Sequence, residues 1–281
     1  MDPRPIGVFD SGVGGLTVAR AIIDQLPHES IVYVGDTANS PYGPKPISEV
    51  RELALGVMDE LVASGVKLLV IACNSASAAV LRDARERYDV PVIEVIQPAV
   101  RGALAATRNH RIGVIGTRGT LGSDKFHRLL GSLQGQAEFI VQPCNGLALA
   151  IEESTHIAAS ASSEKITALL RDYTGQMGEF GHGLQQIDTL VLGCTHYVFA
   201  QNELQNLLGS AVQLVSTGEP VARQTRRLLE AAAQLRSGPA PMAASSRMQL
   251  LTNGELSSLQ AAAKRWLNLP HSACHKADPH V

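Results

Sequence analysis

Leu68-Leu69-Val70-Ile71-Ala72 is an unbroken apolar run that stops abruptly at Cys73, Asn74 and Ser75. Thr189-Leu190-Val191-Leu192 repeats the pattern and stops at Gly193, Cys194, Thr195 and His196. Short runs apolar on every side predict strands of a parallel sheet covered by helices on both faces. Ile6–Asp10, Ile31–Asp36, Val90–Ile96, Arg111–Thr117 and Phe139–Cys144 read the same way, with short later strands at Val212–Val215 and Met248–Thr252. Helical stretches alternate with them: from Leu16, from about 48 to 65, Ala76–Tyr88, Phe199–Leu208, Val221–Leu235 and Leu256–Leu267. Strands alternating with helices predict an α/β fold with mainly parallel sheets.

The pattern restarts half-way. Ile6-Gly7-Val8 matches Ile112-Gly113-Val114, the strand ending at Asp36 matches Phe139–Cys144, and the Cys73 strand matches the Cys194 strand. The first pair is 106 positions apart and the cysteines are 121 apart, so the second unit carries extra length, some of it in the polar segment 153–163. This is a twofold repeat of a βα unit. The segment from Val212 onward does not fit the second copy.

Ligands of parallel sheets sit outside the carboxyl ends of the strands, where Cys73 and Cys194 fall. If the halves face one another, one thiolate can take a proton from a carbon while the opposite thiol delivers one to its other face. A thiol titrates close enough to neutrality for such acid–base work. Each cysteine then needs a local partner. Asp10 and Asp36 end strands in the first half, and His196 lies two residues after Cys194. The turn Ser11-Gly12-Val13-Gly14-Gly15 joins a strand to a helix, where backbone amides favour an anion. It is neither a G-x-G-x-x-G nor a Walker-type motif, which argues against a nucleotide-binding regulator.

Composition narrows the picture. With 24 Lys and Arg against 26 Asp and Glu, the net charge of −2 leaves no footprint for nucleic acid or an anionic membrane. No apolar run reaches membrane-spanning length, and Met1-Asp2-Pro3-Arg4-Pro5 has none of the regions of a secretory leader. A cytoplasmic protein is expected, its four cysteines reduced. Residues 269–281 hold His271, Cys274, His275 and His280, and read as an unordered tail rather than a metal site.

Phe9-Asp10-Ser11-Gly12-Val13-Gly14-Gly15-Leu16, Asp36, Pro41-Tyr42-Gly43, Cys73-Asn74-Ser75-Ala76-Ser77 and Gly193-Cys194-Thr195-His196-Tyr197 together resemble the bacterial glutamate racemases of the aspartate/glutamate racemase superfamily, from Ile6 to about Leu229. The resemblance implies two similar three-layer α/β domains related by a pseudo-twofold axis, with the active site in the cleft between them. One domain would be discontinuous (1–98 plus 210–268) and the other would span 99–209. The implied activity is interconversion of L- and D-glutamate without cofactor or metal, supplying D-glutamate for peptidoglycan. By position, Cys73 would act on D-glutamate and Cys194 on L-glutamate, with Asp10 assisting Cys73 and His196 assisting Cys194; Glu152, eight residues after Cys144, would be a further assisting glutamate. Ser11, Pro41, Tyr42, Gly43, Asn74, Ser75, Thr117, Thr120 and Thr195 would hold the substrate. A homodimer is usual in the family, and some members inhibit DNA gyrase. The rival readings are a racemase for aspartate or another amino acid, and a non-catalytic gyrase-binding protein.

Overall fold

Apolar side chains on both faces put strands Ile6–Asp10 (β1) and Leu68–Ile71 (β3) at the centre of one sheet, every residue of each buried. The structure, a computed structural model, describes residues 2–154, 159–238 and 243–277. In the first part of the chain, helices Leu16–Gln25 (α1), Ile47–Ala63 (α2) and Asn74–Arg87 (α3) alternate with β1, Ile31–Gly35 (β2), β3 and Val92–Glu94 (β4). Ile96–Ala106 (α4) leads into the second part, which runs Arg111–Gly116 (β5), Arg118–Leu121 (α5), Asp124–Ser132 (α6), Glu138–Pro143 (β6), Leu147–Glu153 (α7), Ala159–Gly175 (α8) and Thr189–Gly193 (β7). A 3₁₀ turn at Thr195–Ala200 follows, then Gln201–Leu208 (α9) and Gln213–Val215 (β8). The chain returns to the first sheet through Gly218–Ala231 (α10), Ala244–Arg247 (α11), Met248–Thr252 (β9), Leu256–Leu267 (α12) and Cys274–Lys276 (β10).

The first sheet has the order β10-β9-β2-β1-β3-β4 and the second β6-β5-β7-β8. Every pairing is parallel. The block β2-β1-β3-β4 therefore recurs as β6-β5-β7-β8, which is the repeat read in the sequence extended by one strand. Each sheet is sandwiched between helices. In the first, Ile22, Val70 and Leu259 pack on one face and Met58, Leu69 and Val80 on the other. In the second, Leu147, Leu190 and Leu204 oppose Ala99, Val114 and Phe126. Both are three-layer α/β units.

Two boundaries differ from the sequence reading. Gln213–Val215, expected with the first domain, pairs with β7 in the second sheet, where it is the counterpart of β4 beside β3. Three residues are too few to reveal which neighbour a strand will take. The return crossing to the first sheet thus comes at about residue 216, and α10 then packs on α1. The expected unordered tail fails for 269–277. Cys274, buried with Leu250 and Leu267, anchors β10 as a sixth strand beside β9. Within the segment 153–163, residues 155–158 lie outside the described part, as do 239–242 and His280.

Candidate active site

Cys73 stands two residues after β3 and caps α3, which starts at Asn74, two residues earlier than periodicity places it. Its Sγ accepts a hydrogen bond from the Ala76 amide at 3.4 Å and donates to Ser11 Oγ at 3.3 Å. Burial pushes the Cys73 thiol up to about 12, and the nearby Asp10 charge acts in the same direction. Asp10 ends β1 and accepts the amides of Gly12 and Gly15 through Oδ2 at 3.1 and 3.0 Å. Its Oδ1 is buried with no hydrogen-bond partner among the described residues. Burial raises the Asp10 carboxyl, against the opposing pull of His196 and the two amides.

On the other side, Cys194 follows β7, and its Sγ lies 3.9 Å from His196 Nδ1. His196 Nε2 lies 3.6 Å from Glu152 Oε2 on α7, and Ser40 Oγ donates to that carboxylate at 3.2 Å. Burial disfavours the imidazolium, but the Cys194 sulfur and the Glu152 carboxylate outweigh it, so His196 is raised well above the ordinary histidine range. Gly14 makes the approach of the two halves possible. A Cβ there would stand 2.4 Å from Thr195 Oγ1 and 2.8 Å from His196 Nδ1. The turn after β1 therefore abuts the turn after β7.

Between them is a cavity of about 530 Å³. Ser11, Pro41, Tyr42, Gly43, Cys73, Asn74 and Ser75 line it from the first half, and Thr117, Cys194, Thr195 and His196 from the second. The two sulfurs thus open on one space, and a charge on Cys194 raises the Cys73 thiol further. The Tyr42 hydroxyl donates to Asp36, which also accepts hydrogen bonds from the side-chain Nδ2 of Asn39 and Asn253 at 2.8 and 2.6 Å. That buried carboxylate pins the loop carrying Pro41, Tyr42 and Gly43. Asn74 Nδ2 is buried with no hydrogen-bond partner among the described residues, a donor left over for a ligand. Ser75 Oγ and Thr117 Oγ1 meet at 3.2 Å across the cleft.

A model of the Asp/Glu/Hydantoin racemase family matches residues 6–225. The chain belongs to this family. A glutamate racemase from Beutenbergia cavernae is 46% identical over 285 aligned positions, covering 99% of this chain and 94% of that one. Among solved structures, a glutamate racemase isoform from Bacillus anthracis superposes with a TM-score of 0.87 at 34% identity, covering all of both chains. One from Francisella tularensis, solved in complex with D-glutamate, gives 0.81 at 27% identity, covering 96% of this chain and 95% of that one.

In this racemase-family chain not every expected residue reaches the cavity. Thr120 is 1% exposed and stands behind Thr117, their hydroxyls 2.9 Å apart. Asp10 and Glu152 also lie behind the lining, against the Gly12–Gly15 turn and His196 respectively. Lining residues that were not singled out from the sequence include Cys144, Lys45 and Arg118. Cys144 follows β6 as Asp36 follows β2, so the repeat held a signal for it. Arg118 and Lys45 follow residues already identified, but a charged side chain beside a motif reads as an ordinary solvated one. Among the described residues no group of three His, Cys, Asp or Glu side chains is placed to hold a metal ion, and no helix is long and apolar enough to cross a membrane.

Proposed function

We infer that the protein is a glutamate racemase, interconverting L- and D-glutamate by a two-thiol mechanism. The observation that carries this is the pair Cys73 and Cys194, equivalent positions of a duplicated unit, opening on one cavity in a chain of this family. Substrate complexes of relatives, such as the D-glutamate complex from Francisella tularensis, support the choice of ligand.

With L-glutamate in the cavity, the Cys194 thiolate takes the α-proton as the Cys73 thiol gives its proton to the opposite face. The C–H bond on one side breaks, a C–H bond forms on the other, and the two sulfurs exchange protonation states. The reverse reaction runs the same path backwards. Burial holds Cys73 as the thiol, ready to act as acid. His196, raised by its two anionic neighbours, is the proton-holding partner on the Cys194 side, and Glu152 keeps it oriented. Asp10 stands behind Ser11 and Cys73 and assists the step in which Cys73 is the base.

The carbanion-like transition state needs donors already aimed at the substrate carboxylate. Asn74 Nδ2 and the amides at the start of α3 supply them on the Cys73 side, and the hydroxyls of Ser11, Ser75, Thr117 and Thr195 complete the cradle. The D-glutamate formed serves peptidoglycan synthesis, and the working form is a homodimer. Protein incubated with either enantiomer in deuterated water should racemise it and carry deuterium into the α-position. Retention of the α-proton, or equal turnover of aspartate, would contradict the reading.

A further inference from the structure

His196 is braced from outside the cavity by a chain of contacts that reaches Arg265 and Trp266, beyond the matched family range. Its ring meets Phe199 edge-on, with centroids 6.4 Å apart at 89°. Phe199 in turn stacks on Trp266 of α12 at 4.1 Å and 14°. The Arg265 guanidinium sits 4.4 Å from the Trp266 ring centroid, and its Nη1 donates to the Ser154 carbonyl at 2.5 Å. Ser154 is the residue that ends α7, two positions after Glu152. Consecutive residues of one helix in the first sheet's unit therefore touch both supports of the second half's acid–base group. Trp266 backs the ring that packs on His196, and Arg265 ties down the end of the helix that carries Glu152.

We propose that Arg265 and Trp266 of α12 are positioning residues for the His196–Glu152 pair, coupling the seating of the C-terminal helix to proton handling at Cys194. Neither lines the cavity, so neither touches substrate. Offset-stacked rings and a guanidinium over an indole favour one relative geometry of the elements that carry them. Acid–base catalysis is sensitive to such geometry: a misplacement near 1 Å costs on the order of a hundred-fold. Phe199 sits in a 3₁₀ turn and is only partly buried against the second half's core, so the orientation of its ring also depends on what stacks on it. That neighbour is Trp266.

The proposal rests on the racemase reading, and wild-type racemisation of glutamate tests that reading separately. Trp266→Ala should lower kcat by about ten- to a hundred-fold, leave KM within about two-fold and displace the limb of the pH–kcat/KM profile that belongs to Cys194 and His196. Trp266→Phe, which keeps a ring for Phe199, should restore both. Leu256→Ala removes packing from the same helix without touching the stack. It should lower the melting temperature while leaving kcat and the pH profile as in wild type. If Trp266→Ala and Leu256→Ala behave alike, or if folded Trp266→Ala keeps the wild-type kcat and pH profile, the proposal is wrong. Should Trp266→Ala fail to fold, Arg265→Ala at an exposed site decides. A several-fold loss of kcat supports the positioning role, and unchanged kcat overturns it.

Discussion

Lys125 of α6 holds Glu94 at the end of β4 with its Nζ 2.9 Å from Oε2, an ion pair between the two halves of the molecule. Glu94 is 2% exposed and accepts the amides of Ile96 and Gln97 at 2.6 and 3.0 Å, capping the helix that crosses into the second half. Lys125 also donates to the Ser77 carbonyl at 3.2 Å. Burial depresses the lysine and the Glu94 charge opposes that shift. Removing one partner of a buried, hydrogen-bonded pair leaves the other uncompensated, which is usually worse than never having built it. Glu94→Ala should therefore destabilise the protein by about 3 kcal/mol in denaturant titration. Lys125→Met, which leaves the capping bonds in place, should cost less. Equal stability of Glu94→Ala and wild type would remove the pair from the list of interdomain supports.

Replacing either cysteine separates the two half-reactions. Cys73→Ser and Cys194→Ser should each lose on the order of a thousand-fold in racemisation, because a hydroxyl is a far weaker base at neutral pH than a thiolate. Each variant retains the opposite thiol, so each should still exchange the α-proton of one enantiomer with deuterated solvent. Cys194→Ser should favour D-glutamate and Cys73→Ser should favour L-glutamate. Nuclear magnetic resonance of the recovered amino acid reads this directly, and exchange of the same enantiomer by both variants would contradict the assignment.

Much of this architecture is legible in the sequence. The apolar runs at Ile6, Leu68, Ile112 and Thr189 announce buried parallel strands because they are apolar on both faces and too short for buried helices. The polar residues just after Leu68–Ala72 and Thr189–Leu192 mark the functional edge. The rest hid for identifiable reasons. Gln213–Val215 and Cys274–Lys276 are three-residue edge strands whose membership depends on neighbours far away in sequence. The family resemblance implies Thr120 as a substrate contact, yet its place in α5 turns it behind Thr117. The stack of Phe199 on Trp266 joins positions 67 apart in unlike elements, and no local pattern encodes such a meeting.

The cavity has an uneven charge lining. Lys45 is paired with Glu49 at 2.5 Å, whereas Arg118 lines the mouth with no carboxylate partner among the described residues. Glutamate enters with a net charge of −1 at neutral pH, so the unpaired guanidinium favours capture. Arg118→Gln should raise KM by about three- to ten-fold while kcat stays within a factor of about two, a loss of roughly 1 kcal/mol typical of a partly exposed ion pair. Added salt should raise the wild-type KM and leave the variant nearly unaffected. A kcat loss with unchanged KM would place Arg118 elsewhere in the mechanism.

Asp10, Cys73 and His196 are among the site groups that folding raises. A raised group binds its proton more tightly in the folded state. Its contribution is therefore complete below the unfolded pKa and is lost as pH climbs through the folded one. For Cys73 the window runs from its ordinary 9.0 to about 12. Across it, each pH unit should remove up to about 1.4 kcal/mol of stability. Cys73→Ala deletes the group, so its melting temperature should fall less steeply than that of wild type between pH 9 and 11. Parallel curves would show that the thiol ionises as readily in the folded protein as in the unfolded chain.

Gly14 gives the most local test of how the halves meet. Its φ lies outside the left-handed region, so backbone freedom is not what the position demands. Space is: a methyl group would press on Thr195 Oγ1 at 2.4 Å and on His196 Nδ1 at 2.8 Å, both well inside contact distance. Neither neighbour is free to yield. Thr195 opens the 3₁₀ turn after β7 and is 3% exposed, and His196 is held between Cys194 and Glu152. The halves must then separate slightly, or the imidazole must leave the Cys194 sulfur. Either response breaks the Cys194–His196 contact while leaving Cys73 and its cap intact. Gly14→Ala should therefore cost about a hundred-fold in kcat/KM with a smaller loss of stability, within the 1–3 kcal/mol usual for overpacking. Alkylation should then show Cys73 reacting as in wild type and Cys194 changed. If both cysteines kept their wild-type reactivity and turnover persisted, the turns after β1 and β7 would not be in contact in solution.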